Sequence, residues 1–211
     1  MPHSFILPLV AVASYALGSL SFAVIVSRVM GLNDPRQYGS GNPGATNVLR
    51  SGNKKAAILT LLFDALKGWL PVFMLMQFWA RWQLGAGAAA VAGLAVFAGH
   101  IFPVFFDFKG GKGVATAAGV LFGISPWLGL LVLLTWILTA AISRYSSLAA
   151  LVAAAATPPI YLFGAERNWW LLAGSLFQAC MVMSIVLIWR HRENVQRLLK
   201  KQESRIGEKK R

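Results

Sequence analysis

Residues 113–143 read GVATAAGVLFGISPWLGLLVLLTWILTAAIS, an uncharged run that is too long for one membrane span and short for two. A spanning helix needs about 20 mostly apolar residues. Taken as one helix, the run makes six spans and puts both termini on one side. With the tail inside, 11 Lys and Arg then lie inside and eight outside. A break at Ser125-Pro126 gives seven spans, because proline disfavours continuing a helix. The inside count becomes 17: five in residues 28–55, Lys109 and Lys112, Arg144, and nine in the tail. Only Arg81 and Arg167 lie outside. Excess Lys and Arg on the cytoplasmic side is the expected asymmetry, so the reading is seven segments, N-terminus periplasmic and C-terminus cytoplasmic.

The rest of the chain fits an all-α, polytopic integral membrane helical bundle. Apolar runs fill residues 5–27, 56–80 (interrupted by Asp64 and Lys67), 82–106, 145–165 and 168–189. The chain is 57% hydrophobic and 13% charged, with mean hydropathy +0.61. Soluble domains carry about 25% charged residues. The segment 113–124 makes a helix of only about 18 Å, short for a bilayer core, and is expected to be shielded by neighbours or half-spanning. Gly119 and Gly123, with the Ala-rich runs 86–92 and 149–156, predict close helix packing.

The formal net charge is +13, from 20 Lys and Arg against seven Asp and Glu. In a soluble protein that balance suggests nucleic acid. Here the basic residues lie in loops and the tail, so no nucleic-acid partner is expected. The single Cys180 excludes a disulfide framework within the chain. The run from Phe5 to Ser27 is too long for a signal-peptide core and has no basic flank, so a cleavable signal is not expected. The layout predicts one membrane-embedded domain over residues 1–198 and a basic cytoplasmic tail over 199–211. Every conspicuous polar stretch then gathers on one side.

Three of those stretches suit phosphate chemistry. Gly39-Ser40-Gly41-Asn42-Pro43-Gly44-Ala45-Thr46-Asn47-Val48-Leu49-Arg50 offers glycines whose backbone can approach an anion, small hydroxyls, amides and an arginine fork. Composition alone leaves a turn-rich connector equally open. Gly99-His100-Ile101-Phe102-Pro103 leads to Gly110-Gly111-Lys112-Gly113-Val114-Ala115-Thr116, glycines around a lysine at a helix start. Gly113 stands where a Walker A loop has Ser or Thr, so it is not one. A topological anchor is the alternative for Lys112, and a packing residue for His100. The third is Arg190-His191-Arg192-Glu193-Asn194-Val195-Gln196-Arg197-Leu198, where His191 and Asn194 share a helix face; a basic juxtamembrane helix on anionic lipid is the plainer reading. Asp64 and Lys67 share a face inside a span. Intramembrane charges point to function by default, though a self-neutralising pair is an equal alternative.

With these pieces in this order, the chain closely resembles the bacterial acyl-phosphate:glycerol-3-phosphate acyltransferases, the PlsY family. The likeness rests on the three motifs, the last extending to Glu203, and on Asp64-x-x-Lys67-Gly68 and Arg144-Tyr145-x-Ser147-Leu148. Lys201 stands where the third motif usually carries a glycine, which leaves the placement of Glu203 open. The resemblance implies transfer of a fatty acyl group from acyl phosphate to the 1-position of sn-glycerol 3-phosphate. The products would be lysophosphatidate and phosphate, in the first step of phospholipid synthesis at the bacterial inner membrane, with the active site facing the cytoplasm. It implies no metal and no cofactor. His191, Asn194, Ser40 and Lys112 would be catalytic. Gly41, Asn42, Thr46, Asn47, Arg50, His100, Gly110, Gly111, Gly113, Thr116 and Ser147 would join them in binding substrate and phosphate. The proton acceptor stays open between His191 and the substrate's own phosphate, and the oligomeric state is unspecified. The His-x4-Asp pair of the other acyltransferase class is absent. An organic-phosphate transporter predicts polar groups near the midplane and symmetric halves, whereas the motifs gather at one face.

Overall fold

The computed structural model describes residues 3–78 and 84–207. Arg81, counted above as an outside charge, and tail residues 208–211 lie outside the described residues. The described residues form α1 (His3–Gly18), α2 (Phe22–Val29), α3 (Ala45–Val48), α4 (Lys54–Phe78), α5 (Ala86–Ile101), α6 (Val114–Ile124), α7 (Pro126–Ser143), α8 (Ser146–Glu166), α9 (Gly174–Arg190) and α10 (Arg192–Leu199). There is no strand among them. The fold is an all-helical membrane bundle.

The division of the deciding stretch follows the proline. α6 ends at Ile124, Ser125 is extended, and Pro126 opens α7 at a position where its missing N–H costs nothing. Four helices are long and apolar enough to cross a bilayer: α4, α5 with its extension to Phe106, α7 and α8. Two bent pairs, α1 with α2 at 41° and α9 with α10 at 53°, pass the same test together, which makes up to six if each pair is one span. α6 is a shorter apolar helix, about 16 Å long. It is shielded by α4, its most extensive neighbour. A Cβ on Gly68 would strike the Thr116 carbonyl, and one on Gly119 the Ala65 carbonyl; on Gly123 it would lie 2.9 Å from Val72 Cβ. The two backbones touch because glycine permits it, as the spacing predicted. α1 and α5 approach in the same way, through Gly18 against Val96 and Gly99 against Tyr15. The Ala-rich runs also lie inside, with Ala88, Ala89 and Ala92 and, on α8, Ala149, Ala150 and Ala153 buried. Large apolar side chains such as Phe5, Leu138 and Ile142 face outward, as lipid contact requires.

The first span differs from the single helix expected over 5–27. It breaks at Ser19-Leu20-Ser21, between α1 and α2. A break inside a bilayer is tolerated only where its freed polar groups find partners. Here Lys67 donates to Leu20 O at 2.6 Å, Ser19 Oγ donates to Tyr15 O at 2.9 Å, and Ser19 Oγ accepts from Val104 N at 3.3 Å. A lysine 47 residues away therefore closes the break.

The loops after α2, α5 and α7 and the segment after α9 meet at one end of the bundle. There Ile206 N donates to Arg144 O at 2.7 Å, and the Arg144 guanidinium donates to Ile206 O at 3.4 Å. This end carries the candidate site.

Candidate active site

The first loop is built around Asn47. Its buried side chain accepts from Ser40 N at 2.9 Å and donates to Pro35 O at 2.6 Å and Tyr38 O at 3.1 Å. Gly39 and Gly41 adopt φ of 62° and 67°, and a Cβ on Gly39 would collide with the Asn47 amide. Asn47 is thus saturated by the backbone and shapes the loop. Ser40, Gly41, Thr46 and Arg50 are left exposed, with Asn42 partly so. The Arg50 guanidinium makes one long contact, 3.5 Å from Asn47 Oδ1.

The second loop is held more tightly. Gly111 N donates to His100 O at 3.1 Å, and Arg190 donates to the carbonyls of Gly110 and Gly111 at 3.2 Å each. A Cβ on Gly110 would strike His100 O, and one on Gly111 would strike His100 Nε2 while lying 3.1 Å from Pro43 O. Pro43 belongs to the first loop, so the two loops abut. Gly113 has φ 88° and lies against the Phe97 ring. That is the local reason a Walker-type hydroxyl cannot stand there. Thr116 is fully buried against Gly68, beneath the loop, and does not line its opening.

The third element closes the site. His191 stands at the bend between α9 and α10, with its Nδ1 at 2.8 Å from Leu187 O. A carbonyl can only accept, so Nδ1 carries the proton and Nε2 the lone pair. Lys112 Nζ donates to Asn194 Oδ1. Asn194 Nδ2 donates to Glu203 Oε1 at 2.6 Å, Ser147 Oγ to the same oxygen at 2.8 Å, and Arg197 Nε to Glu203 Oε2 at 2.7 Å. Lys112, Asn194 and Ser147, from three separate segments, thus form one chain of donors ending on a carboxylate. Lys201 adopts φ 56°, the left-handed region a glycine favours. The lysine takes up the turn the motif's glycine would make, and Glu203 stays in the network.

The electrostatics follow from this packing. Burial pushes the Lys112 ammonium down to about 8, with Arg197 adding to the effect and Glu203 opposing it. Burial likewise brings His191 down to about 4, against the opposing effect of its bond to Leu187 O, so the imidazole is neutral near pH 7. The Glu203 carboxyl lies below its ordinary value: burial raises it, and Arg197, Asn194 and Ser147 together outweigh that.

Of the residues singled out from sequence, Lys112, Ser147, Asn194 and His191 come together, with Gly110, Gly111 and Gly113 shaping the loop beside them. Ser40, Gly41, Asn42, Thr46 and Arg50 lie on the adjoining loop. Asn47, His100 and Thr116 sit within the supporting structure. Sequence reading gave no site role to Arg190, whose grip on two loop carbonyls had no signal beyond its place at the head of the basic helix. Among the described residues, no group of three or more His, Cys, Asp or Glu side chains is disposed to hold a metal ion.

The family model described as Glycerol-3-phosphate acyltransferase matches residues 8–201. The glycerol-3-phosphate acyltransferase of Paraburkholderia phytofirmans is 59% identical over 204 residues, covering 96% of this chain and 92% of that protein. Its namesake from Burkholderia pseudomallei is 57% identical, covering 96% of both chains. The fold superimposes on the crystal structure of PlsY (YgiH), an integral membrane glycerol 3-phosphate acyltransferase in its glycerol 3-phosphate form. The TM-score is 0.84 at 37% identity, over 95% of this chain and 96% of that one. The lysophosphatidic acid form of the same protein gives 0.83 at 36%, over 95% of each.

Proposed function

The chain belongs to the glycerol-3-phosphate acyltransferase family, and from that premise we propose that it transfers a fatty acyl group from acyl phosphate to the 1-position of sn-glycerol 3-phosphate. The products are lysophosphatidate and inorganic phosphate. The observation that carries this reading is the convergence of Asn194 and Ser147 on one anion, the Glu203 carboxylate, with Lys112 bound to Asn194 Oδ1 behind them, beside two glycine loops. Side chains that already present donors to one carboxylate suit phosphate oxygens. The exposed Ser40 and Arg50 on the abutting loop supply the contacts for a second anion.

The chemistry asks for positioning more than for a strong nucleophile. An acyl phosphate is a mixed anhydride and is already activated. The glycerol C1 hydroxyl oxygen attacks the acyl carbon, the bond from that carbon to the phosphate oxygen breaks, and phosphate leaves with the electron pair. Lys112 and the loop N–H groups stabilise charge on the departing phosphate. The hydroxyl proton goes to a phosphate oxygen. A phosphate's second pKa is about 6, two units above that of His191, so phosphate holds a proton better than this imidazole does. His191 then serves as an acceptor that orients the hydroxyl through Nε2.

Loops at one end of the bundle, with 17 of the 20 Lys and Arg on that side by the seven-segment count, support a cytoplasmic site at the inner membrane and a basic tail at residues 199–211. The experiment is direct. Protein purified in detergent is given palmitoyl phosphate and glycerol 3-phosphate without added metal. One lysophosphatidate and one phosphate should form per turnover, and no lysophosphatidate would refute the proposal.

A further inference from the structure

The bundle interior holds three polar side chains that the proposed reaction does not use. Lys67, Asp64 and His100 are 1%, 3% and 7% exposed. Asp64 Oδ1 lies 2.8 Å from Lys67 Nζ and 3.5 Å from His100 Nδ1. Lys67 also donates to Leu20 O at 2.6 Å, and its ammonium lies 5.5 Å from the Phe22 ring centroid. The group thus ties the break in the first span to α4 and α5.

It also reaches the second glycine loop. With Nδ1 toward the Asp64 carboxylate, His100 turns Nε2 to the backbone of Gly111, close enough that a Cβ there would collide. The His100 carbonyl accepts from Gly111 N at 3.1 Å and would meet a Cβ on Gly110. His100 is therefore the floor on which Gly110 and Gly111 lie, and Arg190 holds their carbonyls from the other side. Lys112 follows immediately. A carboxylate that fixes the orientation of an imidazole, which in turn fixes the element beside it, is a recurrent way of making a site precise.

We propose that Asp64, neutralised by Lys67, positions His100 and through it the Gly110–Lys112 loop that binds phosphate, so that all three are positioning residues with no contact to substrate. This rests on the functional reading above. It differs from a purely structural ion pair in one consequence. The oxygen that Asp64 places 3.5 Å from His100 Nδ1, a close polar contact without a formed hydrogen bond, matters to phosphate binding even after the buried charges have been removed together.

Two doubly substituted proteins separate these roles. Asp64→Leu with Lys67→Met removes both charges and the acceptor. Asp64→Asn with Lys67→Met removes both charges and keeps an acceptor oxygen. The readouts are the KM for glycerol 3-phosphate, the inhibition constant for inorganic phosphate, kcat, and the elution profile in detergent. The Leu/Met protein should show both binding constants raised at least tenfold with kcat changed less than threefold. The Asn/Met protein should keep most of the affinity. Equal constants for two well-folded doubles would overturn the inference. Should the Leu/Met protein aggregate, His100→Leu decides, because it leaves the ion pair intact: a KM raised tenfold supports the inference and an unchanged KM overturns it. If the parent protein neither turns over glycerol 3-phosphate nor is inhibited by phosphate, the functional reading fails with it. A working parent with indifferent variants would sink the positioning role alone.

Discussion

Replacing Lys112 with methionine keeps the stem of the side chain and removes its ammonium. In the structure that ammonium donates to Asn194 Oδ1, and most of its hydration is already lost, since burial has pulled its pKa down to about 8. A single donor aimed at developing charge in a dry site contributes about 2.7–4 kcal/mol to the transition state, a factor of roughly a hundred to a thousand. Turnover of palmitoyl phosphate with glycerol 3-phosphate by Lys112→Met should therefore fall at least a hundredfold. The pH dependence gives a second signature. The ammonium is charged below about pH 8, so wild-type kcat/KM should decline as pH rises through 8, and Lys112→Arg should lack that decline. The stability effect has the opposite sign. A depressed lysine pKa favours the neutral form, so its contribution is full above about 10.5 and is lost as pH falls through 8. Near-normal turnover by folded Lys112→Met, or an unchanged alkaline limb in Lys112→Arg, would refute the role assigned to this residue.

Three further outcomes follow from named contacts. With His191 neutral above about pH 4, the acid limb of the rate should track the second ionisation of the phosphate substrate near about 6. It should persist, at lower rate, in His191→Asn; its disappearance would restore His191 as the base. Lys201→Gly should stabilise the protein by up to about 1 kcal/mol by relieving a left-handed conformation, read as a higher unfolding temperature in detergent, and a lower one would contradict the assignment. In a Cys180→Ala background, a cysteine at Asn53 should label only from the cytoplasmic side, and periplasmic labelling would overturn the orientation.

How far the sequence could be read depended on whether the cause was local. The break before Pro126 was legible because proline acts on its own helix. The α4–α6 contact was legible in part, since Gly119 and Gly123 announced it but their partners Ala65 and Val72 carried no mark. The break at Ser19-Leu20-Ser21 was not legible, because the group that makes it tolerable is Lys67, far along the chain. The same remoteness hid the roles within the site. Lys112, Ser147, Asn194 and His191 were candidates by type and pattern, and they converge. Asn47, His100 and Thr116 had equally suggestive neighbours, and the structure places them inside: Asn47 is bonded to the backbone of its own loop, and His100 and Thr116 are buried. Glu203 was open because Lys201 replaces a glycine; a lysine that accepts φ 56° removes the difficulty.

The measurement closest to the central claim is a comparison of acyl donors. Purified protein is given glycerol 3-phosphate with either palmitoyl phosphate or palmitoyl-CoA at equal concentration, without Mg²⁺, and lysophosphatidate is quantified. A site built from glycine loops, Lys112 and hydrogen-bond donors, with no His-x4-Asp pair to sharpen a hydroxyl against a thioester, predicts efficient transfer from the acyl phosphate. It predicts little or none from the thioester, and inhibition of the first reaction by high inorganic phosphate. Robust palmitoyl-CoA-dependent synthesis by the pure protein would contradict the account, even with lysophosphatidate as the product.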